Sequence, residues 1–278
     1  MLTLFAAAAA TTMQPLRLAR SAEPTEYVLI ESPGMYALAA ADGSITLSSW
    51  NKRPCLSAPC TAPGGNGGPF TAMAQDVRAA MRTDGRTTQL LVLGFGGGVV
   101  SGDVLCGSRV QEGVGMAPRD VNVTAVEFNP DIIAAAQLSF YDVMFGPNDA
   151  RCPGASRQIT VLQGDAVRVP ALEPTYEAFF DVIVSDFPPA YDTWDGVDLD
   201  FWKRLRAFAR PGGTLVINTL FAWNNGGDGL AEFDEKGGLT PCSRPSVDKL
   251  AKRLRQARWR VAVREVARSN CVLTATAV

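Results

Sequence analysis

The sequence contains no histidine. That absence excludes a histidine general base, a Ser-His-Asp triad and any zinc site that uses an imidazole. Chemistry therefore falls to carboxylates, tyrosines, cysteines or positioning alone. Charge of neither sign dominates: 26 basic residues face 28 acidic ones, a net charge of −2. No global field attracts nucleic acid or an anionic membrane, so neither is expected as a partner. No apolar run reaches the ~18 residues that a bilayer-spanning helix requires. The six cysteines, Cys55, Cys60, Cys106, Cys152, Cys242 and Cys271, include no CxxC pair and no four with metal-ligand spacing. Cys55 and Cys60 could bridge a loop, but scattered thiols in a chain this long read as reduced, buried or incidental. A reducing compartment and no bound metal are the expectations.

The 278 residues, 47% of them hydrophobic, suffice for one large α/β domain with a small appendage. The chain is organised around residues 89–103, QLLVLGFGGGVVSGD. Leu90, Leu91, Val92 and Leu93 lack polar alternation, as expected of a strand buried on both faces of a parallel sheet. They run into Gly94, Phe95, Gly96, Gly97 and Gly98. Glycines there allow a tight turn, let a ligand lie against bare main chain and point N–H groups at it. Three further strands end in acids. VNVTAVE closes on Glu127, placed to accept both hydroxyls of a ribose; QITVLQGD ends in Gly164 and Asp165, placed to accept from an exocyclic adenine amine; FFDVIVSD ends on Asp186. The gap between Gly94 and Glu127 exceeds the usual ~20 residues because 107–120 reads as an inserted polar loop. Strand ends carrying glycine or acid in one order suit an open α/β sheet that binds a nucleotide along its carboxyl edge.

These segments, LVLGFGGG, VTAVEFNPDIIAAAQ, ITVLQGDA, FDVIVSDFPPA and LRAFARPGGTLVINTL, resemble the class I S-adenosylmethionine-dependent transferases. The resemblance is to the spermidine-synthase-like branch, which holds aminopropyltransferases and related methyltransferases, and it covers about residues 86–220. It implies a Rossmann-like seven-stranded sheet with an N-terminal β-appendage. It also implies S-adenosylmethionine on Gly94, Phe95, Gly96, Gly97, Gly98, Glu127, Phe128, Gly164, Asp165, Ala166 and Asp186.

Residues 1–25 form an N-terminal segment. Within it 1–22 hold two arginines and no acid, which reads either as an organelle transit peptide or as an alanine-rich N-terminal helix. The expected location is accordingly the cytoplasm or an organelle. Residues 26–69 read as the appendage: strands in EYVLIES, MYALAAA and SITLSSW with a turn at Asp42-Gly43, then a Pro, Gly and Cys-rich loop. Residues 70–278 form the main domain. Helices are expected over 70–83, 130–141, 198–209 and 246–257, the last a basic helix with a solvated face and Leu250 and Leu254 inward. Residues 166–178 read as a polar connection, Pro211-Gly212-Gly213 as a turn into a strand, and WRVAVREVA with CVLTATAV as a closing hairpin.

After Asp186 the chain reads FPPAYDTWDGVDLDFW. Asp195, Asp198 and Asp200 suit the capped start of a helix, whereas Asp186, Phe187 and Tyr191 sit at a strand end beside the donor. Carboxylates with aromatic faces suit a cationic or amine acceptor, small or protein-borne. Phe187, Tyr191, Trp194 and Asn218 are the expected acceptor contacts, and Asp186 the expected base. Aminopropyltransferases carry Asp-Ser-Ser-Asp-Pro where this chain has Asp186-Phe187-Pro188-Pro189-Ala190, and a Tyr-His pair near the 70–83 helix that it lacks. Methyl transfer is therefore the leading expectation. Aminopropyl transfer is the alternative, an inactive binding scaffold a further one, and a homodimer is compatible with each.

Overall fold

In a computed structural model of the chain the described residues are 12–16, 27–32, 35–40, 46–51, 69–96, 98, 100–102, 104–105, 120–135, 159–171, 176–186, 198–218, 245–265 and 271–278. Four short strands, β1 (Thr12–Leu16), β2 (Tyr27–Ser32), β3 (Met35–Ala40) and β4 (Thr46–Asn51), make an antiparallel sheet in the order β1-β2-β3-β4. The last three fall on the runs expected to be strands. Thr12–Leu16 corrects the helical reading of the N-terminal segment: it pairs with β2 from Thr12↔Glu31 to Leu16↔Tyr27. Alanine propensity acts only locally, and Pro15 removes a donor that a helix interior needs but an edge strand can spare. The rest of residues 1–22 and the Asp42-Gly43 turn lie outside the described residues.

The second sheet has seven strands: β5 (Thr88–Leu93), β6 (Val121–Glu127), β7 (Ile159–Gln163), β8 (Phe180–Ser185), β9 (Ala209–Asn218), β10 (Trp259–Glu265) and β11 (Cys271–Ala277). Their order is β7-β6-β5-β8-β9-β11-β10. The first five run parallel, and β11 is antiparallel to both β9 and β10. Helices among the described residues that flank them include α1 (Pro69–Ala80), α2 (Pro130–Ala135), α3 (Leu199–Phe208) and α4 (Pro245–Gln256). Strand period decides which side chain meets which helix. Leu90 and Val92 join Val182, Val184 and Val216 under Met73, Val77 and Met81 of α1 and its end. Leu91 and Leu93 point to the other face, with Ile183, Leu215 and Ile217 under Trp202 and Leu205 of α3 and Leu250 and Leu254 of α4. Each such burial stabilises by about 1.5–3 kcal/mol.

Local chemistry sets the boundaries. Asp198 caps α3 by accepting from Phe201 N at 2.7 Å, as its acidic approach predicted. The connection after Asp165 begins as a 3₁₀ helix, Ala166–Ala171. Pro211-Gly212-Gly213 lie within β9 rather than before it, beside a register shift against Phe180 and Val182. A Cβ on Gly213 would stand 2.9 Å from the Arg210 carbonyl oxygen, so the irregularity needs glycine. Residues 136–141 of the expected helix lie outside the described set.

At the amino edge of the second sheet is a clasp that sequence reasoning missed. The buried Asp181 carboxylate accepts from Arg82 Nη1 and Arg210 Nη1, both at 2.9 Å on Oδ1, and from Gln89 N at 2.8 Å on Oδ2. The Arg82 amide also donates to Thr88 Oγ1 at 3.0 Å. The end of α1 is thus tied to the starts of β5, β8 and β9. Arg82 and then Arg86 hold the exposed Asp84 carboxyl well below the usual carboxylate range.

Candidate active site

β5 pairs with β6 on one side and β8 on the other. The chain winds from β5 outward through β6 to β7, then returns to β8 across β5. At such a reversal, here beyond the carboxyl ends of β5 and β8, open α/β sheets bind their ligands. Main-chain bonds lace the neighbouring strand ends together. Gly94 N and Phe95 N donate to Val126 O at 3.0 and 3.1 Å, Asp186 N to Leu93 O at 2.8 Å, and Gly164 N to Glu127 O at 2.9 Å. The glycine loop, Glu127, Gly164 and Asp186 are therefore brought to one edge, as the strand-end pattern predicted.

Glu127 does more than wait for a ligand. Its Oε2 accepts from Gly96 N at 2.9 Å and its Oε1 from Asn129 N at 3.0 Å, fastening the glycine loop to the approach of α2. A carboxylate offers about four acceptor positions, so two remain for a pair of hydroxyls. The role of the Asn129 amide was not foreseen, although Asn before Pro is a helix-start signal.

Phe95, expected to touch the donor, has its ring buried in the core under α1 and its amide donating to Val126 O. Its ring packs over Gly98, where a Cβ would stand 2.7 Å from it and where φ is +76°. Only glycine fits there, so Phe95 shapes the loop from behind. An aromatic flanked by glycines gives no local sign of which way it turns. Gly98 O then accepts from Gly102 N at 2.8 Å in the helical turn that follows. Gly97 lies outside the described residues.

Phe128, next to Glu127, is 70% exposed, leaving an aromatic face open to a planar ring. Asp165 has local work: Oδ1 accepts from Val167 N at 2.9 Å, capping the 3₁₀ helix, while Oδ2 is 3.5 Å from Arg168 Nε in an exposed pair. Ala166, expected beside the donor, buries its methyl in the core under α3 and α4, so its side chain is not a ligand contact.

Asp186 follows β8 directly. Burial pushes its carboxyl up to about 7, and the amide of Asn218, donating from Nδ2 to Oδ1 at 2.8 Å, draws it part of the way back. Asn218 ends β9 and is itself buried. A carboxyl that changes protonation near neutrality is suited to proton transfer. Phe187, Tyr191 and Trp194 lie outside the described residues.

The strand order gives a Rossmann-like fold with a seven-stranded sheet, similar to that of solved spermidine synthases. Among solved structures, spermidine synthase from Thermotoga maritima is similar over 96% of this chain and 75% of its own, at 14% identity and a TM-score of 0.55. A probable spermidine synthase from Corynebacterium glutamicum is similar over 97% and 81%, at 13% identity and a TM-score of 0.57. Human methyltransferase-like protein 13 in complex with SAH is similar over 74% and 80%, at 16% identity and a TM-score of 0.46. No family model and no curated protein matches the sequence.

Proposed function

We propose that the chain transfers a methyl group from S-adenosylmethionine to an amine or other small polar nucleophile, free or protein-borne. The observation that carries this reading is the absence of any acid between Gly94 and Gly98. A donor with its carboxylate intact needs main-chain N–H groups or a cation near the glycine loop, whereas a decarboxylated donor brings an ammonium tail that wants an acid. Aminopropyltransferases supply that acid in their glycine loop.

The donor supplies a methyl carbon activated by a sulfonium. The acceptor lone pair attacks it, the carbon–sulfur bond breaks, and its electron pair stays on sulfur. The chain's share is largely positioning, worth much of the barrier when the reacting atoms are aligned in a dry pocket. In this reading the donor's charged end lies along the glycine loop, whose described amides at Gly94, Phe95, Gly96 and Gly98 already donate within the protein, Glu127 holds its ribose, Phe128 and Asp165 its adenine, and Asp186 takes the proton that the acceptor loses. Phe187, Tyr191 and Trp194 are assigned to the acceptor side. Similarity to spermidine synthases over nearly the whole chain favours a second reading, aminopropyl transfer from the decarboxylated donor to a diamine.

Competition calorimetry with both donors separates the readings. S-adenosylmethionine is expected to bind at least roughly tenfold tighter, about 1.4 kcal/mol. Tighter binding of the decarboxylated compound, with thioadenosine released on adding putrescine, would transfer the assignment to the second.

A further inference from the structure

Asn218 was expected to touch the acceptor, yet its Nδ2 lies 2.8 Å from Asp186 Oδ1. Both groups are fixed from behind. Asp186 N is held by Leu93 O at 2.8 Å, and Asn218 sits in register opposite Val272 between two paired strands, almost wholly buried. No hydrogen bond to Asp186 Oδ2 is found among the described residues. An amide donor must be met by a bare oxygen lone pair, so a proton on this carboxyl belongs on the other oxygen.

We propose that Asn218 is a positioning residue: its amide fixes the rotation of the Asp186 carboxyl and confines proton exchange to Oδ2, so that the acceptor's N–H or O–H meets a single oriented oxygen. The base role of Asp186 rests on the methyl-transfer reading above, whereas the pairing itself does not. Burial is the larger influence on Asp186, and the Asn218 amide opposes it. No charged side chain shares in the effect. Arg210 of β9 is engaged with Asp181 at the opposite edge, Asp76 of α1 accepts from Thr274, and neither Asp76 nor Arg78 of α1 is among the causes.

Carbon-detected NMR of the Asp186 carboxyl reads this without donor, acceptor or turnover. Asn218→Leu removes the donor while keeping the side chain's branched heavy-atom skeleton, and the Asp186 midpoint should rise by at least about one pH unit, tenfold in proton affinity. The pH dependence of kcat/KM should move by the same amount. An unmoved midpoint in a folded Asn218→Leu variant overturns the proposal. Should that variant not fold, the wild-type chain still decides. The Asn218 side-chain amide protons are expected to titrate with the Asp186 midpoint, and to be flat in Asp186→Asn. Amide shifts that do not follow Asp186 overturn the proposal too. If the chain binds no sulfonium donor, the functional reading falls while this coupling is still observed, so the two failures are distinguishable.

Discussion

Asp186→Asn is expected to lower kcat by about 10²–10⁴-fold, the usual contribution of a positioned proton acceptor, while making the fold more stable above neutrality. The sign follows from the raised carboxyl. The folded chain holds this proton up to about pH 7, whereas the unfolded chain loses it near the ordinary value of 3.8. The native state therefore binds more protons across that window, and its stability falls as pH rises through it. Asparagine cannot ionise and escapes that cost. Because Asp186 keeps some solvent contact, the gain at pH 8 is on the order of 2 kcal/mol rather than the full linkage value, and it vanishes towards pH 4. For the wild type, kcat/KM should rise with pH through about 7 and then level, since only the carboxylate accepts a proton. Thermal melts at pH 4 and pH 8, beside a pH-rate profile, check both halves. A variant that is fully active, or destabilised at pH 8, would remove Asp186 from the role of base.

Asp181→Ala should lower stability and have almost no effect on the site. It removes the carboxylate that Arg82 and Arg210 share and that the Gln89 amide donates to, leaving Arg82 with Asp84 alone. Both guanidinium groups keep some water and Arg82 keeps Asp84, so the cost is that of part-buried donors losing their acceptor, about 1–3 kcal/mol. Against a typical total of about 5–15 kcal/mol that is a large fraction. Urea unfolding measures it. Donor affinity, measured where the variant is still folded, should be unchanged, because the clasp lies at the amino edge and the candidate site at the carboxyl edge. A loss below about 1 kcal/mol would show that water replaces the carboxylate cheaply.

What was legible in the sequence is what is local. The apolar run ending in glycines, the acid closing each strand and the Asp198 cap are each written within a few residues, and parallel topology then aligns them. Three things were not legible because partners distant in the chain decide them. Thr12–Leu16 becomes a strand because β2 offers it a ladder, against its alanine-rich context. Phe95 turns inward because the core under α1 has room for a ring over Gly98. Asp181 collects Arg82 and Arg210 from positions far apart in sequence. Asp165 shows the reverse: the local cap that any strand-end acid can make is the contact observed. Glu127 combines both, since it fastens the loop and keeps acceptor positions for a ligand.

Titration calorimetry of S-adenosylmethionine into the wild-type chain and Glu127→Ala tests the central claim, that this carboxyl edge is a sulfonium-donor site, most directly. The account predicts saturable one-to-one binding to the wild type and a loss of about 1.5–3 kcal/mol in the variant, as two ribose hydroxyls lose a charged acceptor. Circular dichroism of the variant establishes that it is folded. No binding to the wild-type chain, or the same affinity in a folded Glu127→Ala, would contradict the account.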